Sequence, residues 1–117
     1  MTTQDFLYCL GKTESNDNPN VHLGDNGRAL GRFQVHPDWV YTQSARFGLK
    51  PFLNETWDSF ITRLVTAFYE HNIQFIAPVD VAMYFHLGHR TPSTAPDWDA
   101  EYAERFNVFA ADVALPH

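Results

Sequence analysis

Thr13-Glu14-Ser15-Asn16-Asp17-Asn18-Pro19-Asn20-Val21-His22-Leu23-Gly24-Asp25-Asn26-Gly27-Arg28-Ala29-Leu30-Gly31-Arg32-Phe33-Gln34-Val35 is the stretch in which this chain changes character. Upstream of it, Phe6, Leu7 and Leu10 recur at helical spacing behind Thr2 and Thr3, either of which can cap a first helix. Glu14 continues the same face. From Ser15 to Asn20 nearly every residue is a turn former, so the helix must end there and Glu14 falls at or next to its C-terminus. Val21–Leu23, the Gly24-Asp25-Asn26-Gly27 run and Ala29–Val35 then predict a short irregular β-hairpin with its tight turn at Asn26-Gly27.

Working outward, Pro37 and Asp38 open a second helix that runs to about Arg46 and ends at Gly48. Asn54 is the expected cap of a longer helix with Phe60, Ile61, Leu64, Val65 and Phe68 on one stripe. Trp57, just before that stripe, is expected to be structural. Pro78 to Leu87 forms a further apolar helix stopped by Gly88. A Pro-rich loop follows to Pro96, and a last helix starts near Asp97. The predicted fold class is mainly α (α+β): about five helices around one small β-hairpin, in a single domain spanning residues 1–117. The length suits one hydrophobic core, and no internal repeat or linker divides it.

Composition narrows the function. A hydrophobic content of 44% with 19% charged residues belongs to a packed globular chain rather than a disordered one. A formal charge of −6 with eight scattered Lys and Arg argues against sequence-independent nucleic-acid binding, which needs clustered cations on phosphates. The same acidity removes the long-range attraction that a basic surface would have for an anionic polymer. Cys9 is the single cysteine, so no intrachain disulfide forms. No stretch reaches the ~18 apolar residues of a membrane span, and the N-terminus lacks the basic start and apolar run of a signal peptide. The expectation is a soluble monomer.

Glu14 is the residue with chemical promise. Sharing a face with Leu7 and Leu10 desolvates it, and the helix C-terminus sets partial negative charge beside it; both favour the neutral acid. An acid protonated near neutral pH is what glycosidic cleavage needs, to protonate the departing oxygen as positive charge builds on the sugar. The ordinary alternative is a solvated helix-end carboxylate.

Glu14-Ser15, Pro19-Asn20, Gly27 with Ala29, and Gly31 with Gln34 stand in an order that resembles lytic transglycosylases and goose-type lysozymes of the lysozyme-like superfamily. Gly24-Asp25-x-Gly27 looks like the goose-type version. Ala82-Met83-Tyr84-Phe85-His86-Leu87-Gly88 and Tyr102-Ala103-x-x-Phe106 resemble its later blocks, so the resemblance spans roughly residues 5 to 106. It implies a lysozyme-like fold and cleavage of the β-1,4 bond between N-acetylmuramic acid and N-acetylglucosamine in peptidoglycan. Glu14 would be the general acid and Asp25 a second carboxylate positioning water, while Ser15, Gln34, Tyr84 and Tyr102 would bind substrate, with Tyr84 near the acid. Two carboxylates flanking the bond suit inversion with an activated water; Asp25 in its Asp-Asn-Gly setting also reads as a plain turn residue. His36 stands where goose-type enzymes carry a further aspartate, which leaves hydrolysis and transglycosylation both open.

Trp98, beside the Pro-rich loop, is the tryptophan expected at a cleft wall, and Arg28 and Arg32 flank Leu30 as possible glycan contacts. Six histidines include His86 and His89 three apart, but they straddle Gly88 and no tight ligand motif supports a metal. No cofactor is expected. The partner would be peptidoglycan glycan strands, with the enzyme made in the cytoplasm or carried on a virion, as in phage lysis. The alternatives are a non-catalytic glycan-binding or structural module of the same fold, or a chitin- or chitosan-directed glycosidase.

Overall fold

The computed structural model describes residues 1–18 and 30–115. Five helices follow one another: α1 (Thr3–Ser15), α2 (Pro37–Phe47), α3 (Trp57–Asn72), α4 (Pro78–Leu87) and α5 (Ala100–Ala114). The chain is mainly helical, as its periodicity requires. Among the described residues no helix is long and apolar enough to cross a membrane.

The helix ends follow local chemistry. Thr2 Oγ1 accepts from the Asp5 N–H at 3.1 Å and so satisfies one of the orphan donors of α1. At the other end Asn16 adopts φ 56°, and the N–H groups of Asn16 and Asp17 return to the carbonyls of Lys12 and Gly11. A Cβ at Gly11 would lie 2.5 Å from Asp17 Oδ1 and 3.2 Å from Arg32 Cγ, so any larger residue there must displace those side chains. Pro37 and Pro78 sit in the first turns of α2 and α4, where a missing N–H costs nothing, and Gly48 and Gly88 close those helices at φ 64° and 82°.

Three local expectations are corrected. The cap of α3 is Thr56, whose hydroxyl accepts from Ser59 N–H, and not Asn54, which takes φ 64° and turns the chain two residues earlier. Asparagine tolerates that left-handed geometry, which is why it was open to either use. Helix α5 begins at Ala100, because Asp99 caps it through the Tyr102 N–H while Asp97 is held in the loop by His89 at 2.6 Å. Trp57 heads α3 with 45% of its surface exposed, beside Tyr41 in a surface groove rather than in the core.

The predicted hairpin is not seen. Among the described residues there is no sheet, and what remains is one antiparallel bridge, Leu30 to Val35, with both backbone bonds made at 3.0 and 3.1 Å. The reversal falls at residues 31–34, where Gly31 and Gln34 take φ 78° and 50°. The proposed turn at Asn26-Gly27, with Pro19 to Ala29, lies outside the described residues.

Helix α1 packs on α5 and α3, α2 on α3, and α4 on α5. Phe6 is fully buried at the first junction, stacked on Tyr69 at 4.1 Å and tilted against Phe106 at 5.8 Å. A second aromatic group gathers Trp39, Tyr84 and Phe85 around Phe68. Cys9 is a buried free thiol, its pKa pushed up to about 11 by burial and then by Asp5 and Asp112.

Candidate acid site

Packing α1 against α5 brings Glu14, one residue before the end of α1, to Tyr102 in the first turn of α5. The tyrosine hydroxyl donates to Glu14 Oε2 at 2.5 Å. Tyr102 is buried, with its ring stacked on His86 at 3.9 Å and an interplanar angle of 7°. His86 donates from Nε2 to Asp99 Oδ2 at 2.9 Å, and the other oxygen of Asp99 accepts the Tyr102 N–H at 3.1 Å. One aspartate therefore caps the helix that carries the tyrosine and fixes the ring stacked on it.

The electrostatics favour a protonated acid. Burial raises the Glu14 pKa to about 7, against the lowering effects of the Tyr102 hydrogen bond and the Arg105 charge. Tyr102 is itself raised well above the ordinary phenol range by burial and by Glu14, so it keeps its proton and acts as the donor. Asp99 is lowered by the Tyr102 N–H and then by His86, so it stays ionised. With Oε2 engaged by Tyr102, Oε1 is the oxygen left to carry and release a proton.

Ser15 Oγ donates to the Arg32 carbonyl at 2.5 Å and accepts from Asn18 N–H at 3.1 Å, fastening the end of α1 to the Gly31–Gln34 turn. Gln34 Nε2 donates to the Gly31 carbonyl across the same turn. Arg32 reaches Asp17 at 3.3 Å and Asp58 at 3.0 Å, so it ties the turn to α1 and α3. These half-exposed pairs add little net stability; their effect is positional.

Tyr84, expected near the acid, is placed elsewhere: its hydroxyl accepts from Arg46 at 3.4 Å and its ring packs edge-on against Phe68. Helix α4 turns that side of its surface toward α2 and α3, while His86, two residues on, faces α5. The hydroxyl at Glu14 is that of Tyr102. Trp98 is half-buried against the core. Asp25 and Arg28 lie outside the described residues. His86, Asp99 and Arg105 were not among the expected site residues; the Asp99-x-x-Tyr102 spacing is a capping signal that would have found one of them. Among the described residues no group of three or more His, Cys, Asp or Glu is arranged to hold a metal.

Tyr102→Phe tests the coupling. Removing the hydroxyl deletes a contact that lowers the Glu14 pKa, so the midpoint should move upward by about one unit, the worth of one hydrogen bond to a charged group. Carboxyl carbon chemical shifts against pH read it directly; an unmoved midpoint would show that the contact carries no energy.

No family model, no curated protein and no solved structure matches this chain. Fold and site together define, among the described residues, five helices and a half-buried carboxylic acid whose pKa burial raises to about 7 and which a buried tyrosine orients.

Proposed function

We propose that the protein is a peptidoglycan glycosidase of lysozyme-like fold that cleaves the β-1,4 bond between N-acetylmuramic acid and N-acetylglucosamine, with Glu14 as general acid. The observation that carries this reading is the half-buried Glu14 carboxyl, anchored through Oε2 by Tyr102 and, among the described residues, without a hydrogen bond at Oε1, with burial raising its pKa to about 7. A general acid works best with a pKa near the operating pH, because it is then both protonated and willing to give the proton up. The order of motifs around Glu14 supplies the substrate class.

In the proposed reaction Glu14 Oε1–H donates to the glycosidic oxygen as the bond from the sugar carbon breaks. Tyr102 keeps its hydrogen bond to Oε2 and so stabilises the carboxylate that forms. Water, or the substrate's own hydroxyl, then attacks the sugar carbon and gives up its proton to a carboxylate, either the one left at Glu14 or Asp25. Asp25 is the proposed group that positions the water.

Incubating purified peptidoglycan with wild type and with Glu14→Gln, and weighing the soluble products, tests the proposal. Wild type should release fragments and the variant should not; a 1,6-anhydro product, one water lighter, identifies transglycosylation. Equal release by both proteins would remove Glu14 from the chemistry.

A further inference from the structure

Away from Glu14, a pocket of about 310 Å³ opens between the start of α4 and the loop after it, lined by Ile76, Asp80, Arg90, Thr91 and Pro92. Its volume is at the lower end of the ~300–1,000 Å³ range of small-molecule sites, the size of a group such as one amino acid. Two opposite charges line it, yet they do not pair. Among the described residues Asp80 makes no hydrogen bond or ion pair. Arg90 makes one hydrogen bond, from Nη2 to Asn72 Oδ1 at 3.3 Å.

That single bond is an anchor. Asn72 is fully buried, and its own amide donates to the Phe68 carbonyl at 2.8 Å, which fixes the carbonyl oxygen that Arg90 reaches. The guanidinium also lies 5.7 Å from the Phe75 ring centre and 5.9 Å from that of Tyr84. These rings restrain the group while leaving most of its donors unused, an arrangement suited to a carboxylate. Across the pocket Asp80 is an acceptor without a cation. Thr91 is buried at the wall and donates to Asp97 at 3.4 Å, and Ile76 and Pro92 are apolar.

We propose that this pocket binds an α-amino-acid zwitterion, with Arg90 taking the carboxylate and Asp80 the ammonium. A cation and an anion that share one pocket without neutralising each other match a ligand carrying both charges on one carbon. A purely anionic ligand would face Asp80 and a purely cationic one would face Arg90. Two sources offer this chemistry: a free amino acid, and a wall stem peptide whose diamino acid ends in a free ammonium and carboxylate. The second source rests on the proposed peptidoglycan reading; the site itself does not.

The test is amide chemical-shift titration of the full chain with alanine, N-acetylalanine and alanine amide. Alanine should shift Asp80, Arg90 and Thr91, and loss of either charge should weaken binding tenfold or more. Arg90→Gln should abolish the preference for alanine over its amide and keep that over N-acetylalanine; Asp80→Asn should do the reverse. This crossed pattern cannot come from a general loss of folding. A disaccharide-tetrapeptide with a free diamino-acid end, titrated into Glu14→Gln, separates the sources. Binding at least tenfold tighter than alanine assigns the pocket to wall peptide, and equal or weaker binding assigns it to free amino acid. Equal binding of all three alanine probes, or shifts elsewhere, overturns the proposal, and because binding is read without turnover that outcome leaves glycan cleavage untouched.

Discussion

Replacing Glu14 with glutamine is expected to abolish glycan cleavage and at the same time to make the protein more stable. Loss of a general acid costs about 10²–10⁴-fold in rate, because the near-isosteric amide has no proton to give. The stability gain comes from the same burial that makes Glu14 useful. Its pKa stands at about 7 in the folded chain against about 4.5 for a free glutamate. Below pH 4.5 both states hold the proton and the residue contributes nothing. Between pH 4.5 and 7 the unfolded chain releases the proton while the folded chain keeps it, so stability falls as pH rises. Above pH 7 the folded protein carries the full penalty, as much as about 3 kcal/mol for the shift from 4.5 to about 7. Glutamine carries none of it, and its amide oxygen still accepts from Tyr102. The variant should therefore melt on the order of 10 °C above wild type at pH 8 and with it at pH 4. A gap in melting temperature that does not change with pH would mean that the acid is not held neutral by the fold.

Phe6→Ala should have the largest destabilising effect of any single truncation near the site. Phe6 is fully buried where α1 meets α3 and α5, stacked on Tyr69 and tilted on Phe106. Truncation removes the buried ring and leaves a cavity between three helices, at a cost of about 3–5 kcal/mol. Against a total of roughly 5–15 kcal/mol for a domain, the urea midpoint should fall by about a fifth or more. The functional consequence follows from the same geometry. Glu14 and Tyr102 belong to the two helices that Phe6 joins, so a loosened junction lets water reach the carboxyl. The Glu14 pKa should then move down toward 4.5. A variant that loses stability yet keeps Glu14 at about 7 would show that the acid's environment is set by its own neighbours and not by this junction.

The helices were legible in the sequence because each is written locally. Apolar spacing marks the buried faces of α1 and α3, a proline such as Pro37 or Pro78 fits a helix only in its first turn, and Gly48 and Gly88 close those helices in a conformation that most other residues resist. Glu14 could be placed at the end of α1 on the face of Leu7 and Leu10, a position from which burial could be anticipated, and burial is what raises its pKa. Misplacements occurred where one residue type serves two local geometries. Asn54 is as competent to turn the chain as to cap a helix.

The partner of Glu14 was decided by the tertiary structure alone. Tyr84 and Tyr102 are both tyrosines in late helices, 70 and 88 residues beyond the acid, and no local rule ranks them. The choice depends on which side of α4 faces α5, since that sends Tyr84 to Arg46 and stacks His86 on Tyr102. The charges of Asp80 and Arg90, unpaired with each other among the described residues, came to line one pocket for the same reason: ten residues separate them along the chain, and the close of α4 at Gly88 turns the chain back so that both reach it. Sequence determined the helices and the position of Glu14 at the end of α1, which need only neighbouring residues, whereas the burial of that carboxyl and its contact with Tyr102 join distant segments and exist only once the helices have packed.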